Sequence, residues 1–69
     1  MNGSEPLLSS IERNMVKLVR AGLRNREIAQ KLGFTEGTVK VYLNRIYNKT
    51  GARNRTELAV RAAEWGMAS

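Results

Sequence analysis

Asn25-Arg26-Glu27-Ile28-Ala29-Gln30-Lys31-Leu32-Gly33-Phe34-Thr35-Glu36-Gly37-Thr38-Val39-Lys40-Val41-Tyr42-Leu43-Asn44-Arg45-Ile46 is the stretch whose reading decides the fold. Apolar residues recur in it at helical spacing, first Ile28, Ala29 and Leu32, then Val39, Leu43 and Ile46. Gly33 separates the two runs and suits the residue just past a helix end, where the backbone turns left-handed. Asn25 opens the first run and Thr35 precedes the second; both types cap helices by accepting from unpaired N–H groups. The first run predicts a helix of about two turns, too short to persist alone in water, so packing must hold it. Its small Ala29 lets another helix approach closely. Two helices joined by a short turn containing Gly form a helix-turn-helix.

Working outward, Ser9-Ser10-Ile11-Glu12 has the form of a capping box, with Ser9 as the cap and Glu12 three residues on. Ile11, Met15, Leu18 and Val19 follow at helical spacing, and Gly22 stops this first helix. The helix that starts at Glu36 runs to Thr50, where Gly51 ends it. Asn54-Arg55-Thr56-Glu57 repeats the capping spacing and opens a fourth helix, with Leu58, Ala59, Ala62, Ala63 and Trp65 as its apolar positions and Gly66 at its close. No run alternates with the period of a strand. The expected class is all-α, a four-helix helix-turn-helix bundle over residues 8–67. Gly3, Ser4 and Pro6 make residues 1–7 an expected flexible arm or linker stub.

Composition narrows the function. The 69 residues suffice for one small domain. Cys, His and Asp are all absent, and the only carboxylates are six Glu. The usual nucleophile–base pairs and zinc ligand sets therefore cannot be assembled, so neither an enzyme, a metal site nor a cofactor is expected. No apolar run approaches the roughly 20 residues of a membrane span. The start lacks the basic and apolar regions of a signal peptide, and with no Cys a cytoplasmic protein is expected.

The charge is informative because of where it lies. The net charge is +6. Between Arg24 and Arg55 stand eight basic residues (Arg24, Arg26, Lys31, Lys40, Arg45, Lys49, Arg53 and Arg55) against Glu27 and Glu36 only. The remaining basic and acidic residues cancel. A field of one sign gathered on the helix-turn-helix attracts a polyanion.

On a wheel of about 100° per residue, Val39, Leu43, Ile46 and Thr50 share one side of the third helix, flanked by Tyr42. Gly37, Lys40, Val41, Asn44, Arg45 and Asn48 share the opposite side. Lysine can donate to guanine O6 and N7, asparagine can pair with adenine, and an apolar side chain can meet a thymine methyl. Lys40, Val41 and Asn44 are thus the expected base readers, with helix 36–50 in the major groove of double-stranded DNA. Gly37 leaves the helix start bare for close approach. Thr38 lies where hydroxyl, N–H groups and helix dipole favour phosphate. Asn25 and Arg26 begin the helix that crosses the backbone in this layout. Arg45 and Lys49 are expected at phosphates. Tyr42 buries its ring at the core edge, with its hydroxyl either wet or at a phosphate, and Tyr47 fills the edge with a wet hydroxyl. Lys49, Arg53 and Arg55 either hold a flanking phosphate or are solvated.

As a set, these residues resemble the LuxR/GerE-type helix-turn-helix domain, the output domain of many response regulators and quorum-sensing regulators. The resemblance spans Leu8 to Leu58. It is carried by Leu8-Ser9, Glu12, Gly22-Leu23, Asn25-Arg26-Glu27-Ile28-Ala29, Leu32-Gly33, Thr38-Val39-Lys40-Val41, Ile46, Lys49, Gly51 and Arg53-Asn54-Arg55-Thr56-Glu57-Leu58. It implies transcription control by a bacterial four-helix domain, with Lys40, Val41 and Asn44 at bases and Asn25, Arg26, Thr38 and Lys40 at phosphates. It also implies a homodimer on two half-sites through the fourth helix, with Leu58, Ala59, Ala62 and Trp65 near the seam. RNA polymerase is a candidate partner; a small-molecule ligand is not expected in this domain. Tyr42 stands where the family often has His, Thr50 where it has Leu and Ala52 where it has Val. With no Asp there is no phosphoacceptor, so the chain reads as a stand-alone regulator or as the output part of a longer one.

Two other readings compete. Glu36-Gly37-Thr38-Val39-Lys40 also resembles the promoter-binding domain of sigma factors, but that domain lacks the segment from Arg53 and the fourth helix. A protein-interaction module on the same fold would bind an acidic partner through Val41 and Trp65.

Overall fold

The computed structural model of the protein describes residues 7–66. Four helices follow in order, α1 (Ser10–Arg20), α2 (Asn25–Leu32), α3 (Glu36–Thr50) and α4 (Arg55–Glu64), and there is no strand among the described residues. Of the expected arm at 1–7, only Leu7 falls in this range, and it is exposed; residue 67 also lies outside the described residues.

Side chains mark where the helices begin. The Ser9 capping box is complete: the Glu12 N–H donates to Ser9 Oγ at 3.2 Å and the Ser9 N–H to Glu12 Oε1 at 2.8 Å. Thr35 Oγ1 accepts from the Thr38 N–H at 3.1 Å and Asn54 Oδ1 from the Glu57 N–H at 2.9 Å, both as expected. Around Asn54 the reciprocal half is displaced by one residue, because Glu57 Oε1 takes the Arg53 N–H at 3.0 Å. At α2 the expectation is corrected. Arg24, not Asn25, is the capping residue. Glu27 reaches back to accept the Arg24 N–H at 2.8 Å, which fixes the helix start one residue earlier. Gly33 and Gly51 end α2 and α3 with φ of 74° and 75°, a left-handed turn that glycine adopts without a Cβ clash.

The core is a single cluster. Met15 and Val16 of α1, Ile28 of α2, Val39 and Ile46 of α3, and Leu58 and Ala62 of α4 are fully enclosed. α2 packs chiefly on α3, and α1 chiefly on α4. Each large apolar side chain so enclosed contributes about 1.5–3 kcal/mol relative to exposure.

One charge sits inside this frame. Glu12 is only 3% exposed, and Lys49 Nζ donates to its Oε1 at 2.8 Å. The bond joins the start of α1 to the end of α3. Lys49, followed by the Ser9 N–H, holds the Glu12 carboxyl below the ordinary glutamate value.

Three of the residues expected near a seam on α4 have a use within the protomer. Leu58, Ala62 and Trp65 are buried in the protomer's own core, because α4 needs them to cover α1. Ala59 is half-buried. The exposed large apolar residue of α4 is Val60, at 54%. Trp65 is equally withdrawn from any partner of an interaction module. Thr50, which replaces apolar bulk, has a use in the turn: its hydroxyl donates to the Tyr47 carbonyl at 3.4 Å and accepts from the Ala52 N–H at 3.2 Å.

Candidate nucleic-acid interface

The outer face of α3 owes its exposure to the packing of its inner face. Val39, Leu43 and Ile46 are buried, and their spacing fixes the rotation of the helix. Gly37, Lys40, Val41, Asn44, Arg45 and Asn48 are all exposed in consequence. Val41 is 52% exposed, and Leu7 and Val60 are the other large hydrophobics left in water among the described residues. A β-branched side chain in the midst of cations and amides adds nothing to this core.

Gly37 has no internal reason to be glycine. A Cβ there would meet only Thr35 Oγ1, at 3.9 Å, and Gly37 is not among the glycines with positive φ. At the same helix start, Thr35 Oγ1 accepts from the Thr38 N–H and donates to Thr38 Oγ1 at 3.0 Å. The proton of the Thr38 hydroxyl is thereby left for an outside acceptor.

Tyr42 occupies the core edge as expected. Its ring stacks on Phe34 of the turn, with centroids 5.6 Å apart and planes 3° from parallel, and the Arg45 guanidinium lies 5.6 Å from the Tyr42 centroid. Phe34 and Arg45 thus both contact the Tyr42 ring. Cation–aromatic attraction of this kind restrains the Arg45 side chain without consuming its donors.

The basic residues divide into two groups. Lys49 is bonded to Glu12, and Arg53 pairs with Glu57 at 3.2 Å. Glu57 is held below the ordinary glutamate value, chiefly by the Arg53 N–H and then by the Arg53 side chain. Arg55, whose role the sequence left open, donates from Nη1 to Asn25 Oδ1 at 2.6 Å and from Nη2 to the Leu23 carbonyl. Arg24, Arg26, Lys31, Lys40 and Arg45, by contrast, are exposed and form no ion pair among the described residues. The exposed cations that make no bond within the fold are therefore gathered along α2, from its cap Arg24 to Lys31, and on the first three turns of α3.

The sequence missed two partnerships, Glu12 with Lys49 and Arg55 with Asn25, which span 37 and 30 residues. The only signal was negative: neither cation has a carboxylate at helical spacing. Among the described residues no three His, Cys, Asp or Glu gather where a metal could bind, and no helix is long and apolar enough to cross a membrane.

Two helices at a left-handed glycine turn, the second with an unpaired basic and amide face, are the recurring parts of a DNA-binding domain. Residues 6–62 match the family of bacterial regulatory proteins called the luxR family, also named GerE. The chain belongs to that family. It is a LuxR/GerE-type helix-turn-helix domain that binds DNA in transcription regulation, and the family is one of DNA-binding domains rather than catalysts. Similar proteins include the transcriptional regulatory proteins LnrK and YdfI of Bacillus subtilis. LnrK is 41% identical over 88% of this chain and 29% of its own length. YdfI is 41% identical over 93% of this chain and 30% of its own. The nitrate/nitrite response regulator protein NarL of Escherichia coli is 42% identical over 77% of this chain and 24% of its own. This LuxR-type chain thus spans less than a third of the length of each of these relatives.

Proposed function

We propose that this LuxR-type domain binds double-stranded DNA sequence-specifically, with α3 in the major groove and two copies on paired half-sites. The observation that carries the reading is the outer face of α3. Lys40, Val41 and Asn44 are exposed together on it, and the fold itself makes no use of them. They offer a guanine donor, a thymine-methyl contact and an adenine-pairing amide within little more than one turn. Asn25, Arg26, Thr38, Tyr42 and Arg45 surround them at the edges, where side chains meet phosphate and set the register of the protein on the duplex. Lys49 joins this set through the N–H groups that Glu12 leaves open, since its side chain is 45% exposed. For the dimer, the exposed stripe of Thr56, Val60 and Ala63, with half-buried Ala59, replaces the seam expected from Leu58, Ala62 and Trp65. The longer relatives named above support a role for the domain as the output part of a larger regulator.

The test is selection of bound duplexes from a random pool, followed by competition between the selected site and random duplex. A specific-to-random affinity ratio of at least ~10³ is expected. A ratio near one overturns sequence-specific reading. On the selected site, Lys40→Ala and Asn44→Ala are each expected to cost about 1–3 kcal/mol of binding, and Asn44→Ala to relax the preference at one position. Wild-type binding by both variants removes α3 as the reader.

A further inference from the structure

We propose that Arg55 is a positioning residue for DNA binding: its guanidinium locks the Asn25 amide so that only donors face the phosphate backbone. The proposal rests on the reading of Asn25 as a phosphate contact. It starts from a chemical asymmetry. Arginine has five N–H donors and no acceptor, so the atom that Asn25 turns to Arg55 has to be its oxygen. Nη1 meets Asn25 Oδ1 at 2.6 Å, while Nη2 of the same planar fork meets the Leu23 carbonyl. The fork therefore fixes both the amide and the chain that leads into α2. Asn25 Nδ2 lies at the other end of the amide, and it has no acceptor among the described residues.

This placement matters for binding an anion. A free asparagine amide exchanges its oxygen and nitrogen ends by turning about one bond, and the oxygen end repels phosphate. With Oδ1 held by Arg55, Nδ2 is oriented before the DNA arrives, and the ordering cost of that contact is met in advance. The Leu23 carbonyl, another acceptor near the same path, is covered by the second arm of the fork. Arg55 is the first residue of α4, and α2 and α4 do not pack on one another. The side chain thus spans a gap between the helix that crosses the DNA backbone and the helix proposed to meet the second copy. This use of the guanidinium also explains why a half-buried arginine lies so near the interface with both of its terminal nitrogens directed at neutral acceptors.

A double-mutant cycle tests it, with the whole chain titrated onto a labelled duplex of random sequence at several salt concentrations. Phosphate contacts act on any duplex, so the selected site is not needed. Asn25→Ala and Arg55→Met are each expected to weaken binding by about three- to tenfold, the effect of one neutral hydrogen bond. The double variant should bind no more weakly than the weaker single variant. The salt dependence separates this from its rival. If Arg55 itself held a phosphate, Arg55→Met would flatten the slope of log K against log salt by about 0.9. Loss of affinity with the slope kept supports positioning; a slope lower by about 0.9, or additive losses in the double variant, overturns it. A silent Asn25→Ala removes the phosphate reading of Asn25 and the proposal with it. An effect of Asn25→Ala beside a silent Arg55→Met removes only the proposal.

Arg55→Lys keeps the test open if Arg55→Met does not fold, as judged by helical circular dichroism. Lysine retains the charge but cannot present two donors in one plane. It is expected to lose about the same affinity, and full wild-type affinity in this variant overturns the proposal. In nitrogen–proton spectra, the Asn25 side-chain amide pair should move when duplex is added to the wild type. An equal movement in Arg55→Lys also counts against a locked amide.

Discussion

α3 and α4 are both amphipathic helices that begin at a side-chain cap, yet their polar groups fare differently. On α4 and the turn before it, Arg53, Asn54, Arg55 and Glu57 all hold intramolecular bonds. Its apolar residues Leu58 and Ala62 are spent wholly on the core. On the outer face of α3, Lys40, Val41, Asn44 and Asn48 are exposed and carry no bond that the fold requires. Arg45 is restrained by a ring that leaves its N–H donors available. α4 is a brace and α3 a site. The lesson is that a polar helix face becomes informative once the bonds it makes at home have been subtracted. Of the basic residues between Arg24 and Arg55, that subtraction removes Lys49, Arg53 and Arg55 from the front rank and leaves Arg24, Arg26, Lys31, Lys40 and Arg45.

The largest effect should come from the brace. Leu58→Ala empties a fully enclosed site and is expected to cost about 2–5 kcal/mol of stability, a large part of what a domain this size has. Thermal unfolding reads it. A loss below about 1 kcal/mol would show that α4 is not the structural half of the comparison. Next, Glu12→Ala removes the buried carboxylate that joins α1 to α3 and should cost about 1.5–3 kcal/mol, as hydrogen bonds to a charged group do.

The same group gives a pH signature. The carboxyls of Glu12 and Glu57 lie below the ordinary value of 4.5 in the folded protein. Between the folded and unfolded values the unfolded chain binds more protons, so stability rises with pH across that window. It should be complete above about pH 4.5 and decline as the solution is acidified through the folded values. In denaturant titrations from pH 6 down to pH 2, Glu12→Ala should lose most of that decline; an unchanged profile would show that the Lys49 bond does not hold the carboxyl down.

Gly37→Ala sharpens the other side. Nothing in the fold needs a bare position there, so alanine should stabilise the helix by about 0.5–1 kcal/mol while weakening binding to the selected duplex. A gain in stability with unchanged affinity means that the backbone does not approach the groove at Gly37. The smallest effect on folding belongs to Val60→Ser, within about 0.5 kcal/mol, because the side chain is already in water. Its expected consequence is confined to assembly: two copies should load on a two-half-site duplex less cooperatively. If the stoichiometry and cooperativity match the wild type in a mobility assay, the Val60 stripe is not the seam.

Much of this was legible locally. The Ser9, Thr35 and Asn54 caps, the glycine helix ends and the inward set Val39, Leu43 and Ile46 follow from residues at most four apart. Helix geometry relates such neighbours without help from the rest of the chain. The exposure of Lys40, Val41 and Asn44 followed in turn, since a helix with one face buried shows the opposite one. The α4 stripe was less legible for a related reason. Periodicity finds an apolar stripe but does not say whether the stripe meets its own core or a second copy, and Leu58, Ala62 and Trp65 meet their own core. Asn25 is not the cap because Glu27 takes the Arg24 N–H, which starts the helix one residue earlier, and the Asn25 oxygen accepts from Arg55 instead.

By itself, then, the sequence determined four helices, their ends, the inner and outer sides of α3 and the central concentration of positive charge, because each is set by neighbours in the chain. Tertiary structure alone decided which of those charged groups are bonded within the fold and which are left to solvent. Lys49 finds Glu12 and Arg55 finds Asn25 only after four helices have packed. Bonds across such separations depend on distances in space, which no local pattern contains.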